Sequence, residues 1–467
     1  MKLQLYNSLS KKKEEFGSIK DGEVGIYSCG PTVYWNQHIG HMYAYVVWDV
    51  LVRTLKYQGY GVHWVVNITD VGHMTSDEDT GEDKMEKGAK REGLSVWEIA
   101  EKYIKQFEQS MEFLNIQVPE KLTRATEHIE DQIELSKKIE ENGYTYKTKM
   151  GLVFDTEKFA DYAKFANLKL DKQKKREDVE VDPGKKTPWD FFLWVRDPNH
   201  AMHWPSPWGE GYPGWHIECT AMSTKYLGRK FDIHTGGVEH IPVHHTNEIA
   251  QGYGAYGDKT ANYWLHNAWL TTKGGEKMSK SKGNFLTVQD LVQKGYDPLA
   301  LRYLIISSHY RKGLNFSFSA LAASQTALNK LRNYVASFKS QSRNELSKEK
   351  LEKIDSFRND FNSAISDDLN TPKALAVLWE MVKSNIPNED KYDLLMSFDE
   401  VLGLGLNQVS GIKHQVPSEI QELAKKREML REKGKYEEAD KVRKDIEEKG
   451  YTLKDSSGGT VVEESGE

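Results

Sequence analysis

At 467 residues, with 38% hydrophobic and 29% charged residues, the chain has room for roughly three or four domains of about 100–200 residues each. A net charge of -6 neither marks a nucleic-acid binder nor excludes one, because phosphate binding follows local patches rather than the total. No run approaches the roughly 18 apolar residues of a membrane span, the opening residues lack the shape of a secretory signal, and two cysteines set against 15 histidines favour a reducing, cytoplasmic setting and metal or catalytic use over a disulfide framework.

The first predicted elements alternate strand and helix. Val24-Gly25-Ile26-Tyr27-Ser28-Cys29 alternates in polarity and reads as a strand closed by Gly30-Pro31. Tyr43, Val46, Val47, Val50, Leu51 and Leu55 predict a helix over 41–57, ended by Gly59. A second strand follows over 61–69. Strand, helix, strand is a βαβ unit, so the fold class is α/β with a parallel sheet, and its ligand belongs at the carboxyl ends of the strands, near Cys29 and Thr69. Residues 120–203 are irregular, with a basic run over 172–176 and many aromatics, and read as an insertion. Residues 204–255 return to α/β character. Leu328, Leu331, Val335 and Phe338 begin a helical region over 321–406. Ser418 with Gln421 forms a capping box for one helix, Gly434 ends it, and a second helix runs to Glu448. The small, acidic tail over 461–467 is predicted to lack fixed structure.

Two short motifs carry phosphate chemistry. His38-Ile39-Gly40-His41 falls between the first strand and its helix, where free N–H groups and the helix dipole favour anions. Gly40 lets a nucleotide approach the backbone closely. Lys277-Met278-Ser279-Lys280-Ser281 leads into a Gly-containing loop, and two lysines three apart suit a phosphoryl centre that gains charge in its transition state. Alone, the histidine motif fits an ordinary surface turn equally well, and an isolated lysine run fits a solvated basic loop better. Together they resemble the paired signatures of class I aminoacyl-tRNA synthetases.

A set of metal-ligand residue types is also present. Cys29 ends the first strand, Cys219 lies in Gly214-Trp215-His216-Ile217-Glu218-Cys219-Thr220-Ala221-Met222, and His244 and Glu248 share one face of a predicted helix. All four are legitimate zinc ligands, and all four fit buried structural cysteines and a helix-surface pair. The run from Cys29 to Tyr34, then 38–41, Asn67-Ile68-Thr69-Asp70, 214–222 and 244–251 is similar to the cysteinyl-tRNA synthetase family over nearly the whole chain. That resemblance implies one zinc per subunit on Cys29, Cys219, His244 and Glu248, with the metal distinguishing a cysteine thiolate from a serine hydroxyl. It implies ATP, with Mg2+, at His38, Gly40, His41 and Lys280, catalysis by His38, His41, Lys277 and Lys280, and an amino-acid pocket of Thr69, Trp215, His234 and Glu239. The sequence departs from the family's usual pattern at Thr235, Glu239 and Thr246, which opens the question of how the substrate ammonium is held.

The last 150 residues resemble the RNA-facing half of the family. Asp367-Asp368-Leu369-Asn370-Thr371-Pro372 is similar to its helical bundle, and the segment containing Arg431, Asp440 and Asp455 to its anticodon-binding end; charge alone fits a plain helical hairpin there. The implied layout is a Rossmann-type catalytic domain (1–119 and 204–255), a connective insertion (120–203), a linker domain bearing the lysine motif (256–320), a helical bundle (321–406) and an anticodon-binding domain (412–460). The implied partners are L-cysteine, ATP and tRNA(Cys), with a monomeric enzyme and no membrane. Two other readings share the zinc and ATP parts: a ligase joining cysteine to an amino-sugar, as in mycothiol synthesis, and a non-catalytic RNA-binding paralogue. The first lacks a full anticodon region and the second predicts decayed signatures.

Overall fold

The structure, a computed structural model, describes residues 2–72, 83–167, 183–272, 275–278, 285–339, 346–407, 418–432, 434–448, 451–456 and 459–464. The first predicted strand forms over Glu23–Ser28 (β1), with Val24 and Ile26 on one face and Tyr27 on the other. Helix α1 runs over Ile39–Tyr57 and returns the chain to β2, Gly61–Ile68, parallel to β1 with Ile26 opposite Trp64 and Ser28 opposite Val66. Helices α2 (Lys84–Glu92) and α3 (Val96–Phe113) cross over to β3, Lys121–Arg124, which pairs parallel with the end of β2.

Past α4 (Ile129–Glu141) the chain builds a separate four-stranded antiparallel sheet from Thr145–Lys147, Gly151–Phe154, Phe191–Arg196 and Gly211–Pro213. It then returns through α5 (Ile217–Leu227), β4 (Phe231–Gly237), α6 (His244–Tyr256) and β5 (Ala261–Asn267). The main sheet has the order β5-β4-β1-β2-β3 and is parallel throughout. Progression reverses between β1 and β4, and in such sheets the crevice outside those carboxyl ends is where ligands bind.

Two predicted boundaries move. The insertion was expected over 120–203, but residues 121–124 are an edge strand of the main sheet, and the inserted sheet extends to Pro213. A four-residue edge strand with only Thr123 buried carries no apolar run to betray it. The catalytic domain was expected to stop at 255, yet β5 is its opposite edge strand, with Trp264 and Leu265 fully buried.

One face of the sheet packs through α1 and α3 into a core continuous with the helices beyond it. These are α7 (Pro298–Ile306), α8 (Phe318–Phe338), α9 (Lys348–Ser366), α10 (Thr371–Lys383) and α11 (Asn388–Leu402). The other face packs under α4, α5 and the inserted sheet. A small separate core of Ile420, Ala424, Val442, Ile446 and Leu453 joins α12 (Ser418–Glu432), α13 (Tyr436–Glu448) and a terminal hairpin. That hairpin corrects the prediction of a tail without structure: Gly459–Glu464 pairs antiparallel with Tyr451–Ser456, placing β-branched Val461 and Val462 opposite Lys454 and Leu453. Among the described residues, no helix is long and apolar enough to cross a membrane.

Candidate active site

The carboxyl end of β1 is fixed by a glycine. The Gly30 N–H donates to Asn67 Oδ1 at 2.7 Å, and a Cβ on Gly30 would stand 1.5 Å from the Asn67 carbonyl oxygen, so no side chain fits. The Cys29 N–H donates to the Thr235 carbonyl at 3.1 Å, which seats the thiol at the switch between β1 and β4. Helix α5 brings Cys219 to the same place and α6 brings His244 and Glu248. The donor atoms of Cys29, Cys219, His244 and Glu248 all lie within 4.8 Å of one another, and so do those of Cys29, His234, His245 and Glu248.

Hydrogen bonding distinguishes the two sets. His244 Nδ1 is 2.6 Å from His216 Nδ1, which ties that side of the ring to a neighbour. Its Nε2 lies 3.1 Å from Glu248 Oε1 but makes no hydrogen bond, although it is buried. Glu248 Oε2 is 2.9 Å from His234 Nε2. His245 is engaged on both sides, at 3.1 Å from Cys29 Sγ and 2.7 Å from His266 Nε2. Burial drives the Cys29 thiol up to about 11 and Cys219 well above its ordinary value. Burial also works against the Glu248 carboxylate, but His234 and His244 outweigh it and hold the group at about 2. Two sulfurs, one imidazole and one carboxylate make a donor set that zinc accepts tetrahedrally.

His216, which the sequence reading passed over, positions His244 from an unusual backbone. It stands at φ 80°, the left-handed region that bulky residues avoid, immediately before α5. It lay inside the quoted motif beside Trp215, but nothing in a histidine's identity announces positive φ.

A cavity of about 700 Å³ opens in front of this cluster, with Cys29, His38, His41, Glu239 and Lys84 in its wall. His38 caps α1: its Nδ1 accepts the His41 N–H at 3.1 Å, and the two rings stack 3.6 Å apart. That bond leaves Nε2 as the nitrogen bearing hydrogen. Gly40 has a nearer purpose than the predicted approach of nucleotide, because a Cβ there would stand 2.8 Å from the His38 ring. Beyond the lysine motif the chain docks on the same helix start, with Phe285 against His38 at 5.4 Å and the Ile39 N–H bonded to the Leu286 carbonyl at 2.8 Å. Lys277 lies in a two-residue strand beside Thr271, its side chain outside the described residues, as is Lys280 altogether.

The predicted amino-acid pocket separates into parts. Glu239 faces the cavity and accepts the Trp269 indole N–H at 2.7 Å. Trp215 lies against His244, with ring centroids 5.7 Å apart. Thr69 is buried and donates to Glu218 at 2.9 Å. His234 is fully buried behind the cluster, between Glu248 and Trp264. The atypical Thr235 and Thr246 serve the interior: Thr235 donates to Ser28 Oγ at 2.7 Å and Thr246 to the Ile241 carbonyl at 2.7 Å. Of the RNA-facing candidates, Arg431 and Asp440 are exposed on α12 and α13, and the Asp455 side chain lies outside the described residues.

The parallel-sheet crevice with paired histidines at a helix start defines a class, and comparison with known proteins agrees. Residues 15–326 match the family model for the tRNA synthetases class I (C) catalytic domain, and residues 360–407 match the DALR domain model. In fold the chain is similar to Mycobacterium tuberculosis methionyl-tRNA synthetase bound by methionyl-adenylate, with a TM-score of 0.56 and 15% identity, covering 82% of this chain and 88% of that one. The protein is a class I aminoacyl-tRNA synthetase. It is 44% identical to Cysteine--tRNA ligase 1 of Burkholderia lata over 98% of this chain and 96% of that protein. It is also 44% identical to Cysteine--tRNA ligase of Treponema denticola over 99% of each. The chain belongs to the cysteine--tRNA ligase family.

Proposed function

We propose that the enzyme activates L-cysteine with ATP to cysteinyl-adenylate and transfers the cysteinyl group to tRNA(Cys), with zinc on Cys29, Cys219, His244 and Glu248 selecting the substrate. The observation that carries this reading is the buried His244 Nε2, without a hydrogen bond, among two sulfurs and a carboxylate at the head of the cavity. Cys29, Cys219, His244 and Glu248 would hold the zinc, which would supply a Lewis acid that favours a substrate thiolate over a serine hydroxyl.

The chain's own residues do the rest. The His38 Nε2–H and His41 meet the ATP phosphates at the start of α1, where the dipole favours anions. A substrate carboxylate oxygen attacks the α-phosphorus, and the bond from that phosphorus to the β-phosphate bridging oxygen breaks, releasing pyrophosphate with its Mg2+. Lys277 and Lys280 bring positive charge to this centre as its negative charge grows. Glu239 offers the substrate ammonium a carboxylate from the cavity wall, with Trp215 closing beside the metal ligands. A terminal ribose hydroxyl of the RNA then attacks the acyl carbon and AMP leaves. Arg431, Asp440 and Asp455 read anticodon bases. Both cysteines are free thiols, in keeping with a reducing, cytoplasmic setting.

Cysteine-dependent exchange of pyrophosphate into ATP, followed by charging of transcribed tRNA, tests the whole. Both are expected, with serine inert. Exchange without charging would indicate a cysteine ligase of another kind, and neither activity would indicate a paralogue without catalysis.

A further inference from the structure

We propose that Lys84 grips the α-carboxylate of the amino-acid substrate, an inference that rests on the cysteine-activating reading above. Cysteine presents three unlike groups, a thiol, an ammonium and a carboxylate, and each needs a partner of different chemistry. Among the described residues lining the cavity, Cys29 leads to the metal-ligand cluster and Glu239 is the one carboxylate. Lys84 is the one lysine or arginine among those described residues. The cavity therefore carries one complement for each group of the substrate.

Placement assigns Lys84 to the amino-acid end rather than to the phosphates. Its Nζ lies 4.6 Å from the centre of the Trp215 ring, and Trp215 in turn lies 5.7 Å from the His244 ring. The ammonium is thus one indole away from a metal ligand, whereas the phosphate-binding histidines stand at the start of α1. In cysteine the carboxyl carbon is only three bonds from sulfur, so a metal-held thiol keeps the carboxylate at this end. An indole attracts a cation through its quadrupole, so this contact aims the ammonium.

The backbone under Lys84 is held at both ends of its helix. Asp83 caps α2 by accepting the Glu86 N–H at 2.8 Å, and its other oxygen lies 3.5 Å from His200 Nε2 on the inserted segment. At the far end Arg91 lies 3.3 Å over the Trp35 ring and donates to the Tyr34 carbonyl at 3.0 Å, and both of those residues belong to the cavity wall. Helix α2 is therefore fastened to the cavity it serves.

Calorimetric titration of the full-length, zinc-loaded enzyme without ATP tests this, with L-cysteine, its methyl ester and cysteamine as probes. The last two keep the thiol and the ammonium but lack a carboxylate. The wild-type enzyme is expected to bind cysteine about 10–100-fold more tightly than either, as loss of one charged hydrogen bond predicts. Lys84→Met keeps the aliphatic stem and is expected to bind all three within about a factor of two, with zinc content and cysteamine affinity as in wild type. Lys84→Arg is expected to restore most of the preference. An ester that binds wild type as tightly as the acid overturns the proposal without any variant. So does a Lys84→Met enzyme that retains the preference, or one that loses all three thiols together. If the wild-type enzyme bound none of the thiols, the failure would belong to the zinc–thiolate reading instead.

Discussion

Two of the clusters of buried charge among the described residues are finished differently. Arg302 on α7 is fully buried, and its guanidinium donates to Leu402 O at 2.7 Å, to Leu114 O at 2.9 Å, and to the Asp49 carboxylate on α1. Asp49 also accepts Arg53 Nε at 2.7 Å and the Gln117 N–H at 2.8 Å. Gly403, at φ 63°, makes room, because a Cβ there would meet the guanidinium at 2.4 Å. The Arg302 nitrogens and both Asp49 oxygens are bonded within the protein, so the hub joins α1, α7 and the end of α11 and needs no ligand. The cluster at the carboxyl end of β1 is built instead from thiols, imidazoles and a carboxylate, and there His244 Nε2 and His234 Nδ1 are buried without hydrogen bonds. Open nitrogens beside two thiols and a carboxylate leave donors of the kinds a metal accepts.

The largest effect is expected where the open cluster is broken. Cys219→Ser should strip zinc and lower cysteine-dependent pyrophosphate exchange by more than the roughly 10–100-fold that loss of an outer partner costs. Discrimination against serine, which a site of this kind can carry to roughly 10⁴–10⁵, should collapse with it. Metal analysis and exchange rates check both; full zinc content in this variant would make the cluster no different from the hub. Breaking the closed cluster should instead cost stability. Arg302→Met leaves the buried Asp49 with Arg53 as its remaining cation and strands the Leu402 and Leu114 carbonyls, which should cost about 2–4 kcal/mol and lower the melting temperature by roughly 3–8 °C while zinc per chain stays unchanged. Loss of zinc there would show that the hub is part of the site. His216→Asn tolerates positive φ but cannot reach His244 as the imidazole does. It should weaken zinc binding roughly 10–100-fold in chelator competition, with little change in melting temperature.

What was legible in the sequence followed from local physics. Periodicity gave β1, α1 and β2, and with them the parallel sheet, because each buries a regular apolar face. The four candidate ligands were legible by residue type and by resemblance, and the fold brings Cys29 within reach of α5 and α6 across more than half the catalytic region. What stayed hidden was non-local. Arg302 and Asp49 are 253 positions apart, and neither residue hints at the other. β3 is too short and too polar to show a pattern. The backbone of His216 and the contact of Lys84 with Trp215 are facts of tertiary placement. Thr235 and Thr246, read as departures bearing on the pocket, turned out to hydrogen-bond inside the protein.

A third group of charges, at the opposite end of the same sheet, sets the lower bound of the scale. His63 near the start of β2 lies 2.8 Å from Glu120 and 2.7 Å from Glu23, with all three side chains substantially exposed. Glu120 first and Glu23 second raise the His63 pKa above its ordinary value of 6.5. A histidine whose folded pKa is raised adds stability that is fully present below its unfolded pKa and is lost as pH rises through the folded one. Solvent screening discounts the pair to about 0.5 kcal/mol or less. His63→Gln should therefore melt about 1 °C below wild type near pH 5.5 and level with it near pH 8.5. A gap that stayed constant across this range would mean that His63 acts through packing. A gap several times larger would mean that exposure to water does not separate this group from the two buried clusters, and burial would then lose its place as the property that sets their weight.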